Sequence, residues 1–596
     1  MNTRLYKLKI FVITVFCFAF SAEVIAQWEV RGKVTNEEDL PLVGVSVKLK
    51  DKTTGTVTNT NGEYVLQASD GNGVLVFSYV GYTDKEESIN GRKVIDVNLG
   101  SDVSSLEEVV VVAYGTQKKI SVTGALTTVQ GEELAKSPVP NLAQAMVGRT
   151  SGILTQQVSG QPGNDDVTIR IRGTSTIGDN SPLVLVDGVE RPFTSISPDE
   201  VDNITVLKDA STTAVYGIRG ANGVILVTTK RGKSGRPKIS FSSNSALQAP
   251  TRLPDFANSY DYATLYNEAM RNDRPGITDA ELLFKPEDLE KFKDGSSPVL
   301  HPDVDWFEYM MKPHALQTKQ TLSVSGGKAV RYFVSLGYFD QGGLWKEFNE
   351  QFDYSNNTTY NRYNFRSNLD FDITPSTKFG LSIGGIAGRT HTAGNPFTLM
   401  QQTPPMVTPG LVGDKLILND LVTARNPISS ISGGFDENHV NQLTINGDIN
   451  QKLDFITKGL SVRARLAYDS NYGTQLGKNV TRVEYKPVLT LIDGQETIVY
   501  QPLNDESIGG GSSISFYDRS KRVYFEGALQ YDRSFGNHNV GGLFLYNQHK
   551  QWWHGLERYT PQYPEVPIGY LGTVARLTYD YDYRFLLEFS IGRNGS

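Results

Sequence analysis

Beyond Lys238 the sequence alternates with a period of two. Val330, Tyr332, Val334, Leu336 and Tyr338 fall on one face of an extended chain, with Arg331, Ser335 and Gly337 on the other. The pattern recurs with Leu460, Val462, Ala464, Leu466 and Tyr468 against Arg463, Arg465 and Asp469, and with Val523, Phe525, Leu529 and Tyr531 against Glu526, Gln530 and Asp532. It returns at the end, where Phe585, Leu587, Phe589 and Ile591 oppose Glu588 and Ser590. Side chains of a strand point to opposite faces in turn, so each run has one apolar and one polar face. Runs of about ten residues separated by long polar loops are what a transmembrane β-barrel requires. A large soluble β protein is the alternative, and aromatic residues at the ends of the runs weigh against it.

The bulk composition agrees. Fifty-seven glycines, 29 tyrosines and 27 phenylalanines among 596 residues, with 39% hydrophobic residues, suit strands with two unlike faces and exclude a bundle of apolar helices. A net charge of −7 disfavours a nucleic-acid partner. At the N-terminus Arg4, Lys7 and Lys9 precede an apolar run from Ile10 to Phe20, and Val24-Ile25-Ala26 precede Gln27. This reads as a secretory signal over 1–26, too short to span a bilayer. Cys17, the only cysteine, lies inside it, so a mature chain would have no disulfide, cysteine metal site or thiol nucleophile.

Residues 27–101 read as a small β-sandwich. Val43 to Leu49 alternates, Leu75, Phe77 and Tyr79 do so again, and Asn61-Gly62 is a hairpin-turn signal. Residues 120–235 read as a compact α+β domain. There Asn141 can cap a helix burying Leu142, Ala145 and Met146, and Ser197-Pro198-Asp199-Glu200 has the spacing of a capping box. Asp209 to Tyr216 suits two helical turns ended by Gly217. In the long interval from Thr251 to Pro313, Tyr262, Leu265, Tyr266 and Ala269 share a helical face, and Thr278 with Glu281 is expected to begin a second helix through Phe292.

The linker 102–119 holds Glu107-Glu108-Val109-Val110-Val111-Val112-Ala113-Tyr114, followed by Gly115 and Lys118-Lys119. Four β-branched valines bias the backbone to an extended strand. A buried core strand and an exposed edge awaiting a partner's sheet are the two readings. The position between two domains favours the exposed handle.

Chemistry is harder to find. Gly232-Lys233-Ser234 lacks the glycine a phosphate loop needs, since Val227 stands five residues before Gly232. The seven histidines are expected in or near loops, and no catalytic group, metal site or cofactor is read. Trp345, Trp552 and Trp553 suit either a membrane-boundary girdle or stacking on sugar rings.

Several stretches together resemble the SusC/RagA family of TonB-linked outer-membrane transporters. The most specific runs from Val206 to Gly232 and contains Leu207-Lys208-Asp209-Ala210, Tyr216-Gly217, Arg219-Gly220 and Asn222-Gly223. Ile169-Arg170-Ile171-Arg172-Gly173, Val186-Asp187-Gly188-Val189 and Leu322 to Gly327 support it. Gly32-Lys33-Val34, Pro41 to Val45 and Tyr79-Val80-Gly81-Tyr82 resemble a carboxypeptidase-regulatory-like domain. The resemblance implies a mainly β protein: sandwich, plug domain, and a transmembrane barrel over 236–596. It implies that residues 107–114 are a TonB box, met by the periplasmic C-terminal domain of TonB. A SusD-like surface lipoprotein would close over the barrel, outer-membrane lipid would surround it, and the cargo would be an oligosaccharide or a peptide. A siderophore or vitamin receptor, or a surface adhesin or interaction scaffold, is the rival. Ten or eleven strand candidates precede Ser596. A 22-stranded barrel would be about half complete, so the sequence is expected to be a fragment unable to transport alone.

Overall fold

The computed structural model describes residues 28–595 apart from 37–38, 51, 53, 69–70, 80–81, 83, 100–108, 113–114, 119–123, 175, 419–424, 505–511, 555–565 and 583. The expected signal with Cys17, and Glu107, Glu108, Ala113 and Tyr114 of the expected handle, lie outside these. The chain divides into two compact units, one mostly before Val110 and one mostly after Thr123, with residues 111–122 shared between them.

The first unit is a sandwich of β1 (Trp28–Thr35), β2 (Ser46–Leu49), β3 (Gly55–Val57), β4 (Glu63–Ala68), β5 (Val74–Ser78), β6 (Lys85–Ser88) and β7 (Val97–Asn98). One sheet runs β4-β1-β7 and the other β3-β2-β5-β6. In β4, Tyr64, Leu66 and Ala68 are buried while Glu63, Val65 and Gln67 are exposed, so the period-two pattern defines the layer. Val30, Val47, Leu75 and Phe77 fill the core between the sheets. Asn61-Gly62 does form a turn, with Gly62 at φ 75°. It is not a hairpin turn, because β3 and β4 belong to different sheets. The Asn59 side chain accepts the N–H groups of Asn61 and Glu63, both at 2.9 Å, and this bends the chain from one layer to the other.

The valine run forms β8 (Val109–Val112), paired in a two-stranded sheet with β9 (Gly115–Lys118). An unpartnered strand was the expectation from sequence; one of its edges is instead taken by the residues that follow it.

The second unit begins with β10 (Leu126–Gln130), β11 (Ile153–Gln157), β12 (Val167–Ile171), β13 (Leu183–Val186), β14 (Val189–Glu190), β15 (Val201–Leu207) and β16 (Val224–Thr229). Five of these make a mixed sheet, β10-β15-β16-β13-β14, and β11 pairs with β12. Asn141 caps the helix Leu142–Ala145 by accepting the Gln144 N–H at 2.9 Å, and Leu142, Ala145 and Met146 are buried as their spacing requires. The capping box at Ser197 does not form. Pro198–Glu200 is a single 3-10 turn without a side-chain cap, and Glu200 is buried.

An eleven-stranded sheet follows in sequence order: β17 (Gly235–Gln248), β18 (Ala315–Gly327), β19 (Val330–Gly342), β20 (Thr359–Asp372), β21 (Thr377–Thr392), β24 (Gly434–Lys452), β25 (Leu460–Asn479), β28 (Ser512–Phe535), β29 (His538–His554), β30 (Ile568–Tyr581) and β31 (Phe585–Gly595). Between them, β22 (Leu411–Val412), β23 (Lys415–Ile417), β26 (Glu484–Ile492) and β27 (Gln495–Pro502) form a separate sheet in the loops. All long connections leave one end of the large sheet; at the other end β20 passes to β21 through residues 373–376 alone. The apolar residues read from sequence, such as Leu336, Leu466, Phe525 and Phe589, are exposed on the outer face.

The loop helices correct the sequence reading in two places. Ser259–Asp273 is helical, but it buries Ala263 and Asn267 and leaves Leu265 exposed. The Asn267 amide donates to the Phe284 carbonyl at 2.6 Å, and this polar anchor selects the buried face. Thr278 and Glu281 make a capping box on a single 3-10 turn, Asp279–Glu281, while Pro286–Asp294 is a separate helix. Trp345 is neither girdle nor exposed platform: it packs in a loop core with Trp306, Phe307, Met310 and Phe352. Five histidines, His391, His439, His538, His549 and His554, lie on strands, and of these His391, His538 and His554 are at or next to a strand end while His439 and His549 are further inside.

Candidate functional site

The inner face of the large sheet holds the α+β domain, and the two are joined by buried polar contacts. Strand β20 carries most of them. Its inward residues Arg362, Asn364, Arg366, Asn368 and Asp370 alternate with the outward Tyr363, Phe365, Leu369 and Phe371. Glu200 is 2% exposed; one carboxylate oxygen accepts from Arg366 Nε at 2.7 Å and the other from Asn364 Nδ2 at 2.6 Å. Asn368 Nδ2 donates to Thr229 Oγ1 at 2.9 Å and to the Lys230 carbonyl at 2.7 Å, and Asp370 pairs with Arg231 at 2.7 Å. Neighbouring strands repeat the arrangement. Lys319 of β18 pairs with Asp199 at 2.7 Å, and Arg191 reaches Asp469 of β25 at 2.5 Å and Asn446 of β24 at 2.6 Å.

Towards β28 to β31 the contact is largely apolar, with Arg522 of β28 donating to the Glu190 carbonyl at 2.5 Å. Leu183, Leu185, Leu207, Val215, Tyr216, Val224 and Leu226 form one cluster with Ala528, Leu543, Leu545 and Val574 of β28 to β30. The domain therefore has two unlike sides, one held mainly by desolvated charges and one mainly by apolar packing.

The motif residues surround the chain's path into this domain. Lys208 Nζ donates to Thr127 Oγ1 at 2.6 Å and to the Ser151 carbonyl. The Asp209 carboxylate accepts the Ala125 N–H at 2.7 Å and pairs with Arg172 at 2.6 Å. Both tie down the first residues before and within β10. Ala210 opens the helix Ala210–Thr213, and the following 3-10 segment is kinked at Gly217, whose φ of 59° and ψ of −144° suit glycine alone. Tyr216 is buried and its carbonyl accepts from Asn594 Nδ2 at 3.3 Å. Arg219 pairs with Glu190 and lies 4.5 Å from the centre of the Tyr570 ring. Asn222 Nδ2 donates to the Asp179 carbonyl at 2.8 Å. Gly220 and Gly223 are close-approach positions: a Cβ would stand 2.8 Å from the Thr213 carbonyl oxygen at the first and 2.6 Å from Ile171 Cδ1 at the second.

Asp187, at φ 49°, links β13 to the exit of the domain. Its carboxylate accepts the Thr229 N–H at 3.0 Å and the Thr229 hydroxyl at 2.7 Å. Burial pushes this carboxyl up, but the Arg231 charge, the Thr229 bonds and Arg366 outweigh burial and hold it below the ordinary carboxylate range. A depressed folded value stabilises the fold above the unfolded value, near pH 4, and this stability is lost as pH falls through the folded value. The thermal midpoint of the purified chain should therefore drop below about pH 4, and Asp187→Asn should flatten that acid limb. Superimposable acid limbs in a pH series of melts would remove Asp187 from this role.

Comparison with known proteins agrees with this geometry. Residues 30–111 match the CarboxypepD_reg-like domain and residues 118–224 match the TonB-dependent Receptor Plug Domain. The TonB-dependent receptor P39 of Formosa agariphila is 30% identical over 96% of this chain and 53% of its own length. TonB-dependent receptor SusC of Bacteroides thetaiotaomicron is 30% identical over 58% of this chain and 33% of its own. The chain has the sequence and fold of a SusC-like TonB-dependent receptor. The RagAB peptide importer in its open-open state shares this fold at a TM-score of 0.62 and 22% identity, over 82% of this chain and 56% of that one. The SusC-like chain spans about half the length of its relative P39. These relatives are receptors and transporters, not enzymes.

Sequence reasoning missed the residues that seat the plug. Arg362, Asn364, Arg366, Asn368 and Asp370 were legible as the polar half of a period-two run. The acidic partner Glu200, and Asp199, which pairs with Lys319, were hidden by a local motif.

Proposed function

We propose that this chain belongs to a TonB-energised outer-membrane importer for oligosaccharides or peptides, working with a SusD-like surface lipoprotein. The observation that carries the reading is a plug seated by buried charges against the inner face of a strand sheet whose outer face is apolar. Such a plug closes a passage until something moves it. The outer face suits lipid. Tyr338 and Tyr363 lie with ring centres 5.0 Å apart near the long-loop end, and Phe371 and Phe379 lie 5.9 Å apart near the short-turn end. From Tyr363 to Phe371 a strand rises roughly 27 Å, or about 20 Å normal to the membrane at the usual tilt, close to the apolar height of an outer-membrane barrel. Among the described residues no helix is long and apolar enough to cross a membrane.

In this reading Glu107 to Tyr114 is the handle that TonB captures by adding a strand, which needs backbone groups rather than particular side chains. Force on the handle reaches the plug at Ala125 and Thr127, where Asp209 and Lys208 hold the chain. A synthetic peptide of residues 102–119 should bind the periplasmic C-terminal domain of TonB in a titration, and a scrambled peptide should not. Equal behaviour of the two peptides would remove the handle, and with it the energised mechanism.

A further inference from the structure

Between plug and wall, at the long-loop end, lies a cavity of about 200 Å³ lined by Asn141, Gly163, Asp165, Asp166, Tyr360 and Arg362, among others. Its space depends on a missing side chain: Gly163 sits at φ 72°, and a Cβ there would stand 2.6 Å from Thr390 Oγ1. The walls are fixed by hydrogen bonds among the lining residues and their neighbours, including one from Gln341 Nε2 to Asp165 Oδ2 at 3.3 Å. The Asp165 carbonyl accepts from Gln144 Nε2 at 2.7 Å, Asp166 accepts from Asn141 Nδ2 at 2.7 Å, and Arg362 Nη1 donates to the Pro140 carbonyl at 2.8 Å.

Two features remain unmatched. Arg362 is 3% exposed, yet its Nη2 is buried without a hydrogen-bond partner among the described residues. A buried donor of this kind is costly to leave unmade. In addition, two carboxylates share the lining with one guanidinium, so the cavity carries an excess negative charge. Burial, and then the Asp165 charge, push the Asp166 carboxyl up, while Arg362 draws it down. A cation placed here would relieve that strain, and an acceptor oxygen beside it would satisfy Nη2.

We propose that this cavity binds a primary ammonium adjacent to a carbonyl oxygen, the amino terminus of a peptide, with Asp165 and Asp166 accepting from the ammonium and Arg362 Nη2 donating to the carbonyl. An anion would meet two carboxylates. A neutral sugar would leave the charge uncompensated. The inference rests on the importer reading for the source of its ligand, and it narrows the cargo to peptides.

The test is capture from a mixed tripeptide library by the purified chain in detergent, read by mass spectrometry, with the same library N-acetylated and with maltotriose as comparators. Free tripeptides should be enriched at least tenfold over acetylated ones, and Asp166→Asn should reduce the enrichment about tenfold. The acetylation arm needs no variant, so a misfolded Asp166→Asn protein leaves the test intact. Equal capture of acetylated and free peptides, capture of maltotriose in their place, or no peptide capture overturns the inference. Peptide capture by a chain whose 102–119 peptide ignores TonB would uphold this site and remove the energised importer. Maltotriose capture with TonB binding intact would do the reverse.

Discussion

Glu200→Ala should weaken the seating of the plug by about 3–5 kcal/mol, the usual result of removing one partner from a buried ion pair. The side chains of Glu200 and Arg366 are 2% and 3% exposed and 2.7 Å apart, so the alanine variant leaves a guanidinium desolvated and without its counter-charge. The Asn364 amide loses its acceptor at the same time. The loss should appear in two measurements: a lower urea midpoint for a fluorophore placed on the plug, and, with the same substitution in a full-length version of the receptor, more frequent channel openings in a planar bilayer. A comparison keeps the result from being a general effect of charge removal. Arg271 and Asp279 are also an ion pair, at 2.9 Å, but their side chains are 52% and 65% exposed. Asp279→Ala should cost at most about 1 kcal/mol. Replacing both members of the buried pair, as in Glu200→Met with Arg366→Met, should recover most of the loss, because two apolar side chains of similar volume remove both desolvation costs. If Glu200→Ala is no less stable than Asp279→Ala, buried charge is not what seats the plug.

The same residue shows where sequence was informative and where it was not. Strand alternation is a local property, so the outer face of the barrel sheet was legible at Leu336, Leu466, Phe525 and Phe589. So were the cap at Asn141 and the need for glycine at Gly217, because turn geometry is set within a few residues. Glu200 carries a local signal too, but a misleading one. Ser197-Pro198-Asp199-Glu200 has capping-box spacing, yet Glu200 instead bonds Arg366, 166 residues away. A buried guanidinium outweighs an exposed cap, and no short window contains both partners. The helix Ser259–Asp273 failed in the same way, since the bond from Asn267 to Phe284 turned a polar side chain inward. Residues 359–372 alternate as well, but an inner face of arginine and asparagine does not by itself name the domain that packs against it.

The handle makes the last prediction sharper than a search for lost activity. In a strand, the N–H and C=O of one residue point to one edge and those of the next residue to the other. Val109 and Val111 therefore share one edge of β8, and Val110 and Val112 share the other. Pairing with β9 takes one edge and leaves one for a partner. Proline lacks the N–H and is tolerated only where that group would face away from a neighbouring strand. Each lost ladder bond removes about 0.5–1.5 kcal/mol, so two prolines on the partner's edge should weaken capture about tenfold or more. In a full-length version of the receptor, only one of the double variants, Val109→Pro with Val111→Pro or Val110→Pro with Val112→Pro, should abolish uptake of a bound cargo. Cargo binding should survive in both, because the change lies outside the plug and barrel sheet. Val110→Ala should transport normally, since backbone groups carry the pairing. If neither double proline variant reduces uptake, residues 107–114 are not the handle; if both do so equally, the pairing with β9 is itself part of what the partner recognises.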